Sequence, residues 1–122
     1  MHVRTCDPAQ ATEVSADDVT GVAMQMMVGR EDAAPNFAMR HFVVAPGGHT
    51  PLHQHPWEHE VYVVEGHLQA ECNGERRSVS AGDVLLVPSG SMHQFVNSSD
   101  ADARFLCLVP LASECGQDVP GS

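Results

Sequence analysis

The sequence predicts an all-β fold, either a sandwich or a barrel of short strands. Short apolar runs recur along the chain at a spacing of roughly 8–12 residues, as in such folds. Clusters of Gly, Pro, Asn, Asp and Ser separate these runs. After residue 21, no stretch repeats its apolar residues with the period of a helix. These three observations favour strands joined by tight turns.

Each apolar run is assigned to one strand, and the residues between runs are assigned to turns. Asn73-Gly74 predicts a hairpin turn, because both residue types tolerate positive φ. Pro46 and Pro88 are expected to end strands, since proline cannot donate to a ladder. The predicted strands are Val22–Val28, Phe37–Ala45, Glu60–Glu65, His67–Cys72, Arg76–Val79, Val84–Val87, His93–Val96 and Arg104–Val109.

A chain of 122 residues suits one domain. Residues 1–21 are mostly polar and are expected to form an N-terminal arm. Residues 22–111 hold the predicted strands and form the barrel. Residues 112–122 are expected to form a C-terminal tail.

The chain is strongly acidic, with 16 Asp and Glu against 6 Arg and no Lys, which gives a net charge of −10. This charge argues against nucleic acid and anionic membrane surfaces as partners. It leaves cations and small molecules as the expected ligands. No apolar run is long enough to span a membrane.

The cysteines indicate a reducing compartment. Cys6, Cys72, Cys107 and Cys115 form no C-x-x-C pair and no zinc-ribbon spacing. No stretch with signal-peptide character follows the N-terminus. A cytoplasmic protein with free thiols is therefore expected. A secreted protein with disulfides is the alternative.

Four of the eight histidines form a pattern that predicts a metal site: His53, His55, His59 and His93. His53 and His55 are two residues apart, so on a strand their imidazoles point to the same side. His59 follows four residues later, and His93 begins another apolar run. The other four histidines (His2, His41, His49 and His67) are interpreted as surface or core residues without a metal.

The histidine spacing resembles the cupin family, which carries two motifs. The first motif, G-x5-H-x-H-x3-E-x6-G, is matched from Gly47 to Gly66 except at its glutamate. The second, G-x5-P-x-G-x2-H-x3-N, is matched at every fixed position from Gly82 to Asn97. This resemblance implies a small single-domain barrel of the cupin 2 type, a double-stranded β-helix or jelly roll.

The departure from the first motif bears on the ligand set. Counting six residues back from Gly66 places His59 where the family has its glutamate. Glu60 becomes the ligand instead if one extra residue precedes it, which the family tolerates. We favour His59, because the spacing to Gly66 agrees with it. The segment then is similar to a subgroup of small microbial cupins that bind manganese with four histidines.

The resemblance implies one divalent transition metal per chain, with manganese first and iron, nickel, copper or zinc also compatible with imidazole ligands. Four neutral imidazoles would leave the +2 charge of the metal uncompensated, which makes it a strong Lewis acid. Two coordination positions would remain for water, O2, a peroxide or a bidentate substrate. Glu58 and Glu60 could orient imidazole N–H groups from behind the ligands.

Three further residues are expected to line a pocket beside the metal. Phe95 lies two residues after His93 and therefore faces the same side of its strand. In the last strand, Phe105 and Cys107 share one face, and in the similar subgroup that strand lines the cavity. Plain core packing is the alternative for all three. Arg40 and Phe42 also share a face, whose direction the sequence leaves open.

These features support two classes of function. One is an enzyme, a metal-dependent oxygenase acting on a small unsaturated or aromatic substrate, with metal-dependent lyase or isomerase chemistry as its variant. The other is a non-catalytic cupin module that binds a small ligand or a metal. A homodimer is expected, because Leu106 and Leu108 would face outward and cupins of this size usually pair through such strands.

Overall fold

Nine strands and two short 3-10 helices make up residues 1–111, the part of the chain that the computed structural model describes. The helices are Pro8–Gln10 and Arg30–Asp32. The strands are β1 Thr12–Glu13, β2 Thr20–Val28, β3 Phe37–His49, β4 His59–Glu65, β5 His67–Cys72, β6 Glu75–Ser80, β7 Val84–Val87, β8 His93–Val96 and β9 Ala103–Pro110.

The strands form one curled antiparallel sheet in the order β6-β5-β8-β3-β9-β4-β7. On the outside, β2 pairs with β3, and β1 pairs with β2. The long strand β3 joins the two halves, because it pairs with β9 over residues 37–44 and with β8 at His49. This arrangement confirms the predicted all-β barrel.

The core lies inside the curled sheet and follows strand alternation. In β9 every second residue is buried, beginning with Ala103. Phe105, Cys107 and Val109 are almost completely buried, whereas Leu106 and Leu108 point to the outer face and are only half-buried. The inward and outward sets predicted for this strand are therefore confirmed.

The change of pairing partners along β3 corrects one prediction. The expectation that Pro46 ends this strand is wrong, since β3 continues to His49. Pairing with β9 stops at Val44, and pairing with β2 is interrupted by a bulge before His49. Pro46 thus lies in a gap where no ladder N–H is needed, which removes the usual objection to proline in a strand.

The N-terminal residues lie against β2 and the second 3-10 helix. Arg4 forms an ion pair with Asp32 at 3.0 Å and donates to the carbonyl of Met27. Gln25 accepts from the Asp7 amide at 3.1 Å. The predicted C-terminal tail, residues 112–122, lies outside the described residues. Among residues 1–111, no helix has the length and apolar character needed to cross a bilayer.

Candidate metal centre

His53 and His93 are held side by side by their backbones. The His93 amide donates to the His53 carbonyl at 2.9 Å, and the His53 amide donates to the His93 carbonyl at 3.2 Å. This isolated bridge ties the loop after β3 to the start of β8. His53 and His55 therefore lie in a loop rather than on the strand that their spacing predicts.

His55 and His59 approach from the other side. The His55 ring stacks on Trp57, with ring centroids 4.4 Å apart and planes 9° apart. His59 is the first residue of β4, where it pairs with Val87 and is completely buried. The Nε2 atoms of His55 and His59 lie 2.8 Å apart.

The four rings converge on one region. Ligand nitrogens of His53, His55 and His93 all lie within 4.8 Å of one another. His59 is not part of that tight group, but its ring centroid lies 4.6 Å from that of His55 and 5.1 Å from that of His93. All four histidines predicted from the sequence are thus brought together from three chain segments.

Hydrogen bonds fix which nitrogen of two rings faces the centre. The Nδ1 atoms of His55 and His93 lie 3.0 Å from the carbonyls of Trp57 and Ser91, respectively. A carbonyl only accepts, so each Nδ1 carries the hydrogen and donates it. In a neutral imidazole this leaves Nε2 as a lone pair. These two hydrogen bonds therefore leave the Nε2 atoms of His55 and His93 available as electron-pair donors.

The contact between His55 and His59 has two explanations. Because the Nε2 of His55 is a lone pair, the Nε2 of His59 at 2.8 Å must carry a hydrogen or share a cation with it. With a cation, His59 would turn its Nδ1–H toward Cys107 Sγ, which lies 3.2 Å away. The donor set fits a divalent transition metal, since neutral imidazole suits several such ions.

Electrostatics keep two of these rings neutral. Burial lowers the pKa of His55 to about 4, and the neighbouring His93 adds to the effect. Burial also lowers the pKa of His59 to about 2, with the Arg40 guanidinium as the next cause. At neutral pH both imidazoles are therefore unprotonated, which is the form that binds metals.

Behind His59 lies a contact that the sequence did not indicate. Cys107 Sγ lies 3.2 Å from His59 Nδ1 and also 3.2 Å from Arg40 Nη2. Arg40 and Cys107 face each other across the β3–β9 ladder, and both are buried. The inward position of Phe42 would have predicted that of Arg40, because the two residues are two apart on one strand.

Glu58 and Glu60 occupy a different position from the one predicted. Both side chains are exposed. They hydrogen-bond to each other, and this contact is the main cause of the raised pKa of Glu60. The Nδ1 atoms of His55, His59 and His93 instead contact the Trp57 carbonyl, the Cys107 thiol and the Ser91 carbonyl, respectively. Backbone acceptors leave no trace in the side-chain sequence. Glu60 faces solvent, whereas the His59 ring lies against those of His55 and His93.

The interior beside the histidines is aromatic. Phe95 and Phe105 are buried as predicted, with ring centroids 5.0 Å apart, and Phe105 stacks on Phe42 at 5.1 Å. The Phe95 ring lies 6.5 Å from that of His93. A cleft of about 520 Å³ between β6 and β7 reaches Phe95 from outside. Of the three residues predicted to line a pocket, Phe95 borders this cleft.

Comparison with known proteins identifies the family. The profile of the cupin domain matches residues 40–109, more than half of the chain. The chain belongs to the cupin family. Both histidine motifs lie within the matched segment, and the curled antiparallel sheet is the barrel expected for a cupin.

Three relatives illustrate the range of roles. The 1-methylthio-D-xylulose 5-phosphate methylsulfurylase of Rhodospirillum rubrum is 35% identical to this cupin over 71 residues, which are 58% of this chain and 46% of that protein. The oxalate-binding protein of Thermotoga maritima is 34% identical over 67 residues, 54% of this chain and 55% of that protein. The match thus spans about half the length of these two relatives.

A solved structure covers more of the chain. The polyketide cyclase RemF from Streptomyces resistomycificus matches this cupin with a TM-score of 0.81 and 29% identity, over 90% of this chain and 80% of that one. The three relatives differ in their named roles, so membership of the family fixes the barrel and leaves the reaction open.

Proposed function

We propose that this cupin is a metal-dependent oxygenase that oxidises a small unsaturated or aromatic molecule. The observation that carries the proposal is the 2.8 Å approach of two Nε2 atoms, one of which is fixed as a lone pair. A cation bound between the two atoms would use both lone pairs if His59 carries its hydrogen on Nδ1, and the nitrogens of His53 and His93 lie beside them. The aromatic residues beside it suggest an apolar substrate.

His53, His55, His59 and His93 would hold one divalent metal per chain. Manganese is the first candidate, and iron, nickel, copper and zinc also suit imidazole ligands. When bound, such an ion supplies Lewis acidity and, for the redox-active metals, one-electron chemistry. Because all four ligands are neutral, the protein would leave the full +2 charge available to the substrate.

The side chains around the site would bind and shield rather than transfer protons. Phe95 and Phe105 would exclude water from the substrate, and Cys107 would orient His59. Within residues 1–111, the buried polar side chains include no Asp or Glu. A carboxylate acting as general base inside the barrel is therefore missing from that part of the chain, which favours chemistry supplied by the metal.

A second candidate is metal-assisted rearrangement without oxygen, of the lyase or isomerase type. The similarity to a polyketide cyclase over most of the chain favours it. A third is a non-catalytic module that binds a small ligand, as the name of the oxalate-binding relative suggests for that protein. All three candidate functions use the same histidines, so they differ only in the reaction that follows binding, or in its absence.

The remaining expectations stay part of the proposal. The partner would be a small molecule, with neither nucleic acid nor membrane, and the free thiols of Cys6 and Cys72 support a cytoplasmic location. A homodimer is supported by apolar residues on the outer face of the sheet, among them Leu86, which is 62% exposed.

Oxygen consumption tests the proposed function. The protein would be loaded with manganese, iron, nickel, copper or zinc and mixed with aromatic alkenes, diketones and catechols, with O2 or a peroxide as oxidant. Uptake of oxidant that His93→Ala abolishes and His67→Ala retains supports the oxygenase, since His67 is exposed on β5. Turnover that continues without oxidant supports the rearrangement. Saturable binding without turnover would leave only the binding module.

A further inference from the structure

Arg40 is a buried cation inside the barrel. Its side chain is completely buried, on the inner face of β3. Its Nη2 donates to Cys107 Sγ at 3.2 Å, and its guanidinium lies 5.1 Å from the centre of the Phe42 ring. Its Nε and Nη1 have no hydrogen-bond partner within residues 1–111. Two of its three nitrogens are therefore unsatisfied.

This arrangement is costly for the protein alone. A guanidinium stays charged at all relevant pH values, so it cannot avoid the cost by losing a proton. A buried charge without a paired anion is among the most destabilising features of a core. None of the four ion pairs within the described residues includes Arg40. The phenyl face and the sulfur compensate only part of this charge.

The surroundings show where an anion would enter. Arg40 is linked to the candidate metal centre through Cys107, whose sulfur also touches His59. His53 and His55 are partly exposed, whereas His59, Cys107 and Arg40 are buried. A ligand coming from the histidine face would thus meet His53 and His55 first and the guanidinium last.

We propose that Arg40 binds an anionic oxygen of the substrate, so that this cupin selects small carboxylates with an apolar or aromatic body. The carboxylate would take the free Nε–H and Nη1–H donors, and the body would pack on Phe42 and Phe105. The idea names the substrate class of the site described above, and it rests on the proposed function only in treating the ligand as a substrate.

Binding to the metal-free protein tests Arg40 separately from the metal. Benzoate is compared with neutral benzamide by calorimetry at neutral pH, with His93→Ala as a control for binding at the histidines. We expect benzoate to bind, and benzamide to bind about 10- to 100-fold more weakly, as for the loss of a charged hydrogen bond. Arg40→Met should abolish this preference, and Arg40→Lys should retain part of it.

A spectroscopic measurement on the unmutated protein covers the case in which Arg40→Met does not fold. The Nε–H resonance of a buried arginine is protected from exchange, and that of Arg40 should shift with benzoate and remain unchanged with benzamide. Equal binding of benzoate and benzamide, or equal benzoate binding to the wild-type and Arg40→Met proteins, would overturn the proposal. A failed oxygen assay would leave the benzoate result standing, and a failed benzoate assay would leave oxygen turnover standing.

Discussion

Replacing His59 by alanine tests the ligand set most directly. His59 begins β4, is completely buried, and is the residue at which this chain departs from the glutamate of the family motif. Its neighbour Glu60 is the competing ligand, and it is exposed. The two residues point to opposite sides of one strand, so each can be changed without altering the other's contacts.

The size of the effect follows from what each side chain contacts. Mutation of a residue that only orients a metal ligand typically weakens metal affinity by about 10- to 100-fold. Cys107 is in that position through its 3.2 Å contact with His59 Nδ1, so Cys107→Ala should weaken metal binding by about that factor. Loss of the ligand itself should exceed about 100-fold, or about 2.8 kcal/mol. Glu60→Ala should leave the affinity unchanged.

The assay is a competition titration of manganese or zinc against a chelator, alongside elemental analysis of the purified proteins. His59→Ala also removes a buried ring, which costs about 2–4 kcal/mol of stability by the precedent of core truncations. The thermal midpoint of each metal-free protein therefore has to be measured, so that an unfolded variant is not mistaken for a metal-free one.

The opposite ranking would refute the reasoning. If folded His59→Ala kept one metal per chain while Glu60→Ala lost it, Glu60 would be the ligand and β4 would be turned by one residue. If the wild-type protein took up no metal under any loading condition, the four histidines would have to be explained without a cation.

Three further predictions concern stability and assembly. Gly66→Ala should destabilise the protein more than Gly74→Ala. Both glycines have φ near +82°, so either substitution costs about 1–2 kcal/mol of left-handed strain, but only at Gly66 would the new Cβ lie 2.6 Å from a backbone oxygen, that of Asp102. Equal shifts in the urea midpoint would contradict this prediction. Hydrogen bonding by Arg4 holds the pKa of Asp32 at about 2, below its usual 3.8. The contact between the N-terminal arm and the barrel should therefore persist above pH 3.8 and weaken as the pH falls toward 2. Hydrogen exchange of the Asp7 amide measures this contact, and its pH dependence should disappear in Asp32→Asn. Leu86→Glu on the exposed face of β7 should convert the expected homodimer to monomers in light scattering, whereas Leu52→Glu, in the loop before His53, should not; a wild-type monomer would remove the dimer altogether.

Most of the fold could be predicted because apolar and polar side chains alternate along the strands with a period of two residues. The alternation in β9 fixed which of its residues face the core, and Asn73-Gly74 marked the turn between β5 and β6, where both residues have positive φ. The prediction that Pro46 ends β3 was wrong for a physical reason. Proline disrupts a strand mainly because it lacks an N–H for the ladder, and β3 needs no such N–H where it changes pairing partner.

The site could be predicted only in part, for a similar reason. Four histidines with motif spacing are visible in a sequence, whereas the carbonyls of Trp57 and Ser91 that orient two of them belong to the backbone. Glu58 and Glu60 were assigned to that orienting role because carboxylates often fill it, but both are exposed on this barrel. The contact between Arg40 and Cys107 could not be predicted from the sequence, because it depends on the register of β3 against β9, which places the two residues opposite each other.

The pairing of β3 with both β8 and β9 has a consequence for the stability of the barrel. In the order of paired strands, β3 connects the two halves of the sheet. His59 lies in the β9-β4-β7 half, and His93 lies in the β5-β8 half. An ion bound by both histidines would therefore cross-link chain segments that are distant in sequence. It would raise the free energy of unfolding with the logarithm of its concentration over its dissociation constant. Chelation should then loosen the junction between the halves first, and proteolysis near residues 50–58 would be an early sign of metal loss.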